Sequence, residues 1–286
     1  MTDDFTEVRI LDNFYQTSSF FPMPVVLIST LSDSGQTNLG PYSLCFPHII
    51  TGKDGHAMLL IARESSNTAQ NIIRSKVCAI NFIPDKKKYL KNCVMIGYPG
   101  ESTEQKMKNS IFTLMPSSRD ASQGNASYPL IVKEALQVFE CTWDERYPLK
   151  HDEELVECHF VLHIDKLIMK KKWQNCLFKG KGFPRMPIDY GYRDNVRFWF
   201  AKHSRPYAIP IPKEKGTAVE TVKYACTRFD PDITWEDETY AMLVKVPNIF
   251  LNKAISGIVQ EAKKEGLTVI TQEFMKKIRD KRSGGK

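Results

Sequence analysis

The residues of this chain best suited to chemistry are not a cluster of acids, bases or nucleophiles. They are two short polar stretches, Asn38-Leu39-Gly40-Pro41-Tyr42-Ser43 and Ser65-Ser66-Asn67-Thr68. In the first, Gly40 permits a close approach to the backbone, and Pro41 fixes φ and leaves a carbonyl free. A planar ring that a second reactant must reach cannot be buried, so backbone N–H and C=O groups of an extended segment can grip it from one edge. In the second, four residues with hydroxyls or amides precede Ala69, Ile72 and Ile73, where a capped helix of about two turns is expected. Donors gathered at a helix N-terminus, together with the helix dipole, suit a phosphate, and Arg63 can add charge. Each stretch alone has a plainer reading: a turn for Asn38 to Ser43, a helix cap for Ser65 to Thr68.

Other reactive side chains form no convincing set. His48 follows the first stretch, and His159 and His163 share a later strand; each reads first as an ordinary polar strand or loop residue. Cys158 beside His159 and His163 lacks the further ligand that a metal site needs at usable spacing. Seven cysteines are scattered without a Cys-x-x-Cys pair, which suggests small core residues and neither a disulfide framework nor a zinc ribbon.

The elements that must position these stretches read mainly as short strands. Val25 to Leu31 is a continuous apolar, β-branched run ending at the turn Ser32-Asp33-Ser34-Gly35, and a second strand is expected from near Gln36. Met58 to Ala62, Val77 to Ile83, Leu136 to Trp143 and Leu155 to Lys170 are further strands. Lys86 to Tyr128 reads as a long irregular excursion with one helix around Ser102 to Ser110. Gly180 to Pro212 is rich in Gly, Pro and aromatics and reads as ordered loop. The linker falls at Lys213 to Thr217, with a helix beginning at Thr217 or Ala218.

Three short helices are then expected. Thr234-Trp235-Glu236-Asp237 matches an acidic capping box opening a helix with Ala241, Met242 and Leu243. Pro247 starts the next, with Phe250, Ala254, Ile258 and Ala262 on one face, Ile255 and Val259 beside them, and a stop at Gly266. Thr271 caps the last, with Ile270 and Met275 as a hydrophobic staple.

Pro22-Met23-Pro24, the strand to Thr30, the glycine turn and Asn38-Leu39-Gly40-Pro41-Tyr42-Ser43 together resemble the flavin reductase-like, flavoredoxin-like family of FMN-binding split barrels. The family's next landmark, a polar loop opening a helix with Asn-Ile, matches Ser65 through Ile72. The resemblance covers about Phe14 to Phe200 and is weakest from Lys86 to Tyr128. It implies a fold that is mainly β with α, a Greek-key split β-barrel over residues 1–212 followed by a small C-terminal helical module over 213–286. It also implies FMN as cofactor, held by Thr30, Asn38, Leu39, Gly40, Pro41, Tyr42, Ser43, Arg63, Ser65, Ser66, Asn67 and Thr68, and a homodimer. Many family members carry Lys-Asp-Thr where this chain has Ser66-Asn67-Thr68, so one phosphate-pairing cation is missing. Arg63, or a basic residue between Lys202 and Arg205, would have to replace it. The C-terminal residues Trp235, Leu243, Val246-Pro247, Phe250, Glu261-Ala262, Glu265-Gly266 and Ile270-Thr271 resemble the C-terminal domain of a light-independent protochlorophyllide reductase subunit, which implies docking near redox partners.

No apolar run approaches the ~20 residues that span a bilayer, and Met1-Thr2-Asp3-Asp4 has no basic n-region, so a cytoplasmic protein with no membrane partner is expected. The net charge of +7 is carried largely by Lys86 to Lys88, Lys170 to Lys172 and the tail from Lys276, runs that read as solvated loop ends rather than as a nucleic-acid site. Three functions remain open. The chain is an oxidoreductase whose FMN takes hydride from NAD(P)H, an FMN electron carrier fed by a redox protein, or a basic nucleic-acid binder without cofactor.

Overall fold

The computed structural model describes residues 5–50, 55–98, 100–119, 128–194, 197–202, 205–207, 209, 217–230, 232–246 and 248–283. In chain order its first elements are α1 (Phe14–Thr17), β1 (Met23–Pro24), β2 (Val26–Leu31), β3 (Thr37–Tyr42), β4 (Cys45–Ile49), β5 (Ala57–Arg63), α2 (Asn67–Ser75) and β6 (Val77–Phe82). Then come α3 (Lys87–Ile96), α4 (Thr103–Lys108), β7 (Leu114–Met115), β8 (Ile131–Val132), β9 (Gln137–Trp143), β10 (Glu157–Met169), α5 (Lys171–Lys179), β11 (Ile188–Arg193) and β12 (Phe198–Phe200). The last are α6 (Thr217–Phe229), β13 (Thr234–Trp235), α7 (Asp237–Leu243), α8 (Asn248–Lys264), β14 (Val269–Ile270) and α9 (Gln272–Ser283). Contacts divide the chain into two units: Met1–Gln174 with Gly182–Pro206, and Asn175–Lys181 with Tyr207–Lys286. The boundary expected between 212 and 213 lies outside the described residues.

The first unit is built on one seven-stranded sheet in the order β3-β2-β6-β9-β10-β5-β4. β3 and β4 stand at its opposite edges, yet only Ser43 and Leu44 separate them in the chain. So short a connection can join the two edges only if the sheet curls until they meet, which makes a barrel with an open seam. β2 explains its own apolar run. It pairs with β3 and β6, and all six of its residues are buried, so neither face alternates with solvent. The β2–β3 turn closes through Gly35, at φ 77, whose amide donates to the Ser32 carbonyl at 3.0 Å.

Two cores lie on the two faces of the sheet. One holds Val26, Ile28, Leu60, Ile72, Ile80, Phe160 and Leu162 on the side of α2. The other gathers Leu27, Leu39, Ala79 and Val138 under α3 and the β7–β8 hairpin.

Two expectations for this unit need correction. The stretch after Lys86 contains a ten-residue helix, α3, besides α4. Tyr89, Leu90, Cys93 and Ile96 form its buried stripe, but its N-cap Lys86 makes no side-chain cap and its first turn has no acid, so its start carries no signal. The Gly- and Pro-rich stretch after Gly180 holds two paired strands, β11 and β12, and β11 also pairs with β1. β1, β11 and β12 form a three-stranded sheet separate from the barrel sheet.

In the second unit α6 to α9 pack around Val222, Cys226, Trp235, Leu243, Ile255, Ile258, Ala262, Ile270, Phe274 and Met275. Thr234 is not a helix cap. With Trp235 it pairs in parallel with Val269 and Ile270, and Glu236 occupies the N-cap of α7. Phe250 is 46% exposed, and Leu251 takes its expected place in the stripe with Ile255, Ile258, Val259 and Ala262. α8 ends before Gly266; Pro247 lies outside the described residues. The Thr271 hydroxyl accepts from the Phe274 amide at 3.2 Å, capping α9. All seven cysteines are free thiols, and six are buried.

Candidate functional site

Strand alternation sorts the first predicted stretch onto two faces. Thr30, the register partner of Asn38, accepts a hydrogen bond from Asn71 of α2 at 3.1 Å, which puts Thr30, Asn38, Gly40 and Tyr42 on the α2 side. Leu39 lies in the opposite core, and Pro41 packs against Gly97, just beyond α3. Thr30, Leu39 and Ser43 are buried. Of these, Leu39 can serve a ligand only through its backbone, and Thr30 acts as a strut between β2 and α2.

The structure brings β3 and the start of α2 together. Ser66 is the N-cap, its hydroxyl accepting from the Ala69 amide at 3.1 Å. The amides of Asn67 and Thr68 are the two that this helix start leaves over. Tyr42 Oη and Ser66 Oγ share a hydrogen bond at 3.3 Å. Burial pushes the Tyr42 phenol up, partly opposed by its hydrogen bonds with Ser66 and Thr68. Thr68 is only 3% exposed, and a Cβ on Gly40 would overlap its Oγ1. Its hydroxyl therefore fills the space above Gly40, and its amide is the group left for a ligand. Ser65 and Arg63 are exposed at the mouth of this junction.

α4 completes the enclosure. Its reciprocal capping box joins the Ser102 hydroxyl to the Gln105 amide at 3.3 Å and the Gln105 side chain to the Ser102 amide at 2.9 Å. The Asn67 side chain donates to the Glu101 carbonyl at 2.9 Å, and the Thr103 hydroxyl donates to Asn38 Oδ1 at 3.4 Å. Asn38 is 1% exposed, and its Nδ2 is buried without a partner. Glu101 and Thr103 thus join the site although sequence reasoning passed over them; a helix around Ser102 to Ser110 was expected, but nothing tied it to Asn38. Lys202 and Arg205, the other candidate cations, are exposed, and residues 203 and 204 lie outside the described residues.

The histidines stand apart. His48 is exposed, edge-on to Tyr147 at 5.9 Å, His159 is half-buried, and His163 Nδ1 faces Asp165 Oδ1 at 3.3 Å.

The geometry suits a flat heterocycle carrying a phosphate. β3 pairs with β2 on one side and with no strand on the other among the described residues, so backbone groups of alternate β3 residues face outward, and Pro41 has only its carbonyl to offer. The orphaned Asn38 amide and the spare amides of α2 supply donors a few residues away. No helix among the described residues is long and apolar enough to cross a membrane.

The flavin reductase like domain family matches residues 18–165 of this chain. No curated protein matches it. Among solved structures it resembles the flavoredoxin of Methanosarcina acetivorans (17% identity, 75% of this chain and 100% of that one, TM-score 0.50). It also resembles the flavoredoxin of Desulfovibrio vulgaris Miyazaki F (13% identity, 75% and 99%, TM-score 0.50). A third likeness is to a split-barrel protein of Shewanella frigidimarina assigned as a flavin reductase (16% identity, 70% and 91%, TM-score 0.52). At such identities the likeness speaks to the fold, and the fold is the split barrel.

Proposed function

This chain belongs to the flavin reductase like domain family, and from that premise we propose that it is a cytoplasmic, FMN-dependent oxidoreductase that takes hydride from NAD(P)H and passes electrons to an acceptor. The observation that carries this reading is the junction of edge strand β3 with the N-terminus of α2, where Gly40 and Thr68 touch. When bound there, the flavin would supply the redox chemistry itself. The chain's part is positional: the outer edge of Gly40-Pro41 orients the ring, the amides of Asn67 and Thr68 with exposed Ser65 and Arg63 hold the phosphate, and no protein acid or base is required. A homodimer belongs to the same reading. It is supported by an exposed aromatic cluster in which Phe20 stands 5.5 Å from Tyr190 and 6.4 Å from Tyr192.

The purified protein is expected to have the mass of two chains and to retain FMN in preference to riboflavin. Anaerobic mixing with NADH or NADPH should bleach it rapidly. Equal retention of riboflavin would remove the phosphate site from the reading. Slow bleaching with both nicotinamides would favour the FMN electron carrier, fed by a redox protein.

The proposal also assigns the flavin to residues 1–212 and a separate docking role to the helices of 213–286. A chain ending at residue 212 is then expected to fold and to bind FMN within about threefold of the full chain, because each unit has its own buried core. Loss of flavin on truncation, read by the absorbance of the purified fragment, would place part of the site in the second unit.

A further inference from the structure

Lys87 and Lys91 of α3 have no ion pair among the described residues, and both line a cavity of about 520 Å³ that the proposed flavin site does not use. We propose that this cavity, between α3 and β12, binds a nucleoside phosphate. Trp199 stacks on the base, Lys87 and Lys91 hold the phosphate, and Asp85 accepts hydrogen bonds from the sugar or the base. This inference does not depend on the flavin reading.

Lys87, Leu90, Lys91 and Val94 recur at helical spacing, so they share one face of α3 and line one wall. β12 contributes Phe198 and Trp199, 38% and 45% exposed. The volume falls within the range of about 300–1,000 Å³ usual for small-molecule sites. Arg193 lies over the Phe198 ring at 4.4 Å, whereas no ring or cation contact covers Trp199 among the described residues, so the indole is free to stack. Lys86 and Lys88 lie over Tyr89 at 5.7 and 5.0 Å, which leaves Lys87 and Lys91 as the cations lining the cavity. Four residues apart, their charges repel, and with no acid in the first turn of α3 they also oppose the helix dipole. A phosphate between them relieves both costs. A solvated lysine face would account for the charges, but not for their place in a concave wall beside an exposed indole. Asp85 narrows the ligand class: a carboxylate in the same cavity disfavours a purely anionic ligand and suits the hydroxyls and amino groups of a nucleoside. α3 runs on toward Gly97, which packs against Pro41, so the two lysines lie ~9–15 Å along the helix from Pro41 at 1.5 Å per residue. The adenosine end of NAD(P)H and a free nucleotide share the chemistry this cavity fits.

The test is to measure dissociation constants of AMP, adenosine and inorganic phosphate for the full chain, Lys87→Ala/Lys91→Ala and Trp199→Leu, with the KM for NADH and NADPH alongside. Wild-type protein is expected to bind AMP at least about tenfold more tightly than adenosine or phosphate. The double lysine variant should lose about tenfold in AMP affinity while adenosine binding holds, and Trp199→Leu should lose about fivefold or more for AMP and adenosine alike. All three side chains are exposed, so the variants are expected to fold and to keep their FMN affinity. A nicotinamide KM raised by a similar factor at constant kcat identifies the adenosine end of NAD(P)H as the occupant, and an unchanged KM identifies a free nucleotide. No AMP binding to wild type, or equal AMP affinity in every variant, overturns the inference. FMN lost in step with AMP would place the flavin in this cavity and overturn it as well. AMP binding by a protein that retains no flavin overturns the flavin reading instead and leaves this inference standing.

Discussion

Gly40→Ala is expected to destabilise the protein by about 1–3 kcal/mol and to abolish flavin retention. The added Cβ would overlap Thr68 Oγ1 and lie 2.9 Å from Tyr42 Cε2. Neither neighbour can move cheaply. Thr68 is buried, and its β-branched side chain has few rotamers within a helix, while Tyr42 is held against the α2 cap through Ser66. Relief therefore requires the first turn of α2 to shift away from β3, which separates the outer edge of Gly40 from the amides of Asn67 and Thr68. Thr68→Ala removes the overlapping atom. The double variant Gly40→Ala/Thr68→Ala should recover about 1 kcal/mol or more relative to the sum of the single changes. Urea unfolding of the four proteins, with the flavin content of each, checks this. Wild-type stability in Gly40→Ala, or strict additivity in the cycle, would show that the two residues do not meet.

The Gly40 and Thr68 argument also shows how far this site can be read from sequence. Two facts were legible: Asn38 to Ser43 follows a buried strand and a glycine turn, and Ser65 to Thr68 opens a helix. Both are local signals, a period of two and an N-cap. Their meeting is not local. It depends on β3 being an edge strand and on α2 lying across the same face. Only the fold shows that the Thr68 hydroxyl turns inward to Gly40 while its amide stays available.

Local signals failed where tertiary contacts replaced them. α3 begins without a cap and with three lysines, so its start reads as loop, and its helix exists because Tyr89, Leu90, Cys93 and Ile96 have a sheet face to cover. β11 and β12 are short and contain Gly191, and they become strands by pairing with each other and with β1. Thr234 has the chemistry of a cap but is drawn into a parallel bridge with Val269. Phe250 fits the helical period, yet Leu251 points into the core instead, because a pattern alone does not say which neighbouring ridge will find a partner.

Glu140→Ala is expected to cost about 3 kcal/mol and to weaken flavin binding from a distance. Glu140 lies fully buried in β9, where its carboxylate accepts from Ser117 Oγ at 2.5 Å, Ser118 N at 2.8 Å and Ser118 Oγ at 2.6 Å. Next to these residues Arg119 donates to the Cys78 carbonyl at 2.7 Å and the Cys141 carbonyl at 3.2 Å, and it pairs with Asp165 at 3.1 Å. Ser117 to Arg119 thus pin the excursion that carries α3 and α4 across β3. Burial alone would push the Glu140 carboxyl up, but the hydrogen bonds from Ser117 and Ser118 and the nearby Arg119 charge outweigh it and hold the group below the ordinary range. Its contribution to stability is therefore fully present above the unfolded value of about 4.3 and is lost as pH falls through the lower folded value. Glu140→Gln keeps the shape without the charge, so its stability deficit relative to wild type should be widest near neutral pH and narrow below about pH 4. Denaturant melts from pH 7 to pH 3 read this directly, and a constant deficit would remove the charge from the account. Because the anchored segment also bears Glu101 and Thr103, which touch Asn67 and Asn38, Glu140→Ala should weaken FMN and riboflavin together through disorder of α4.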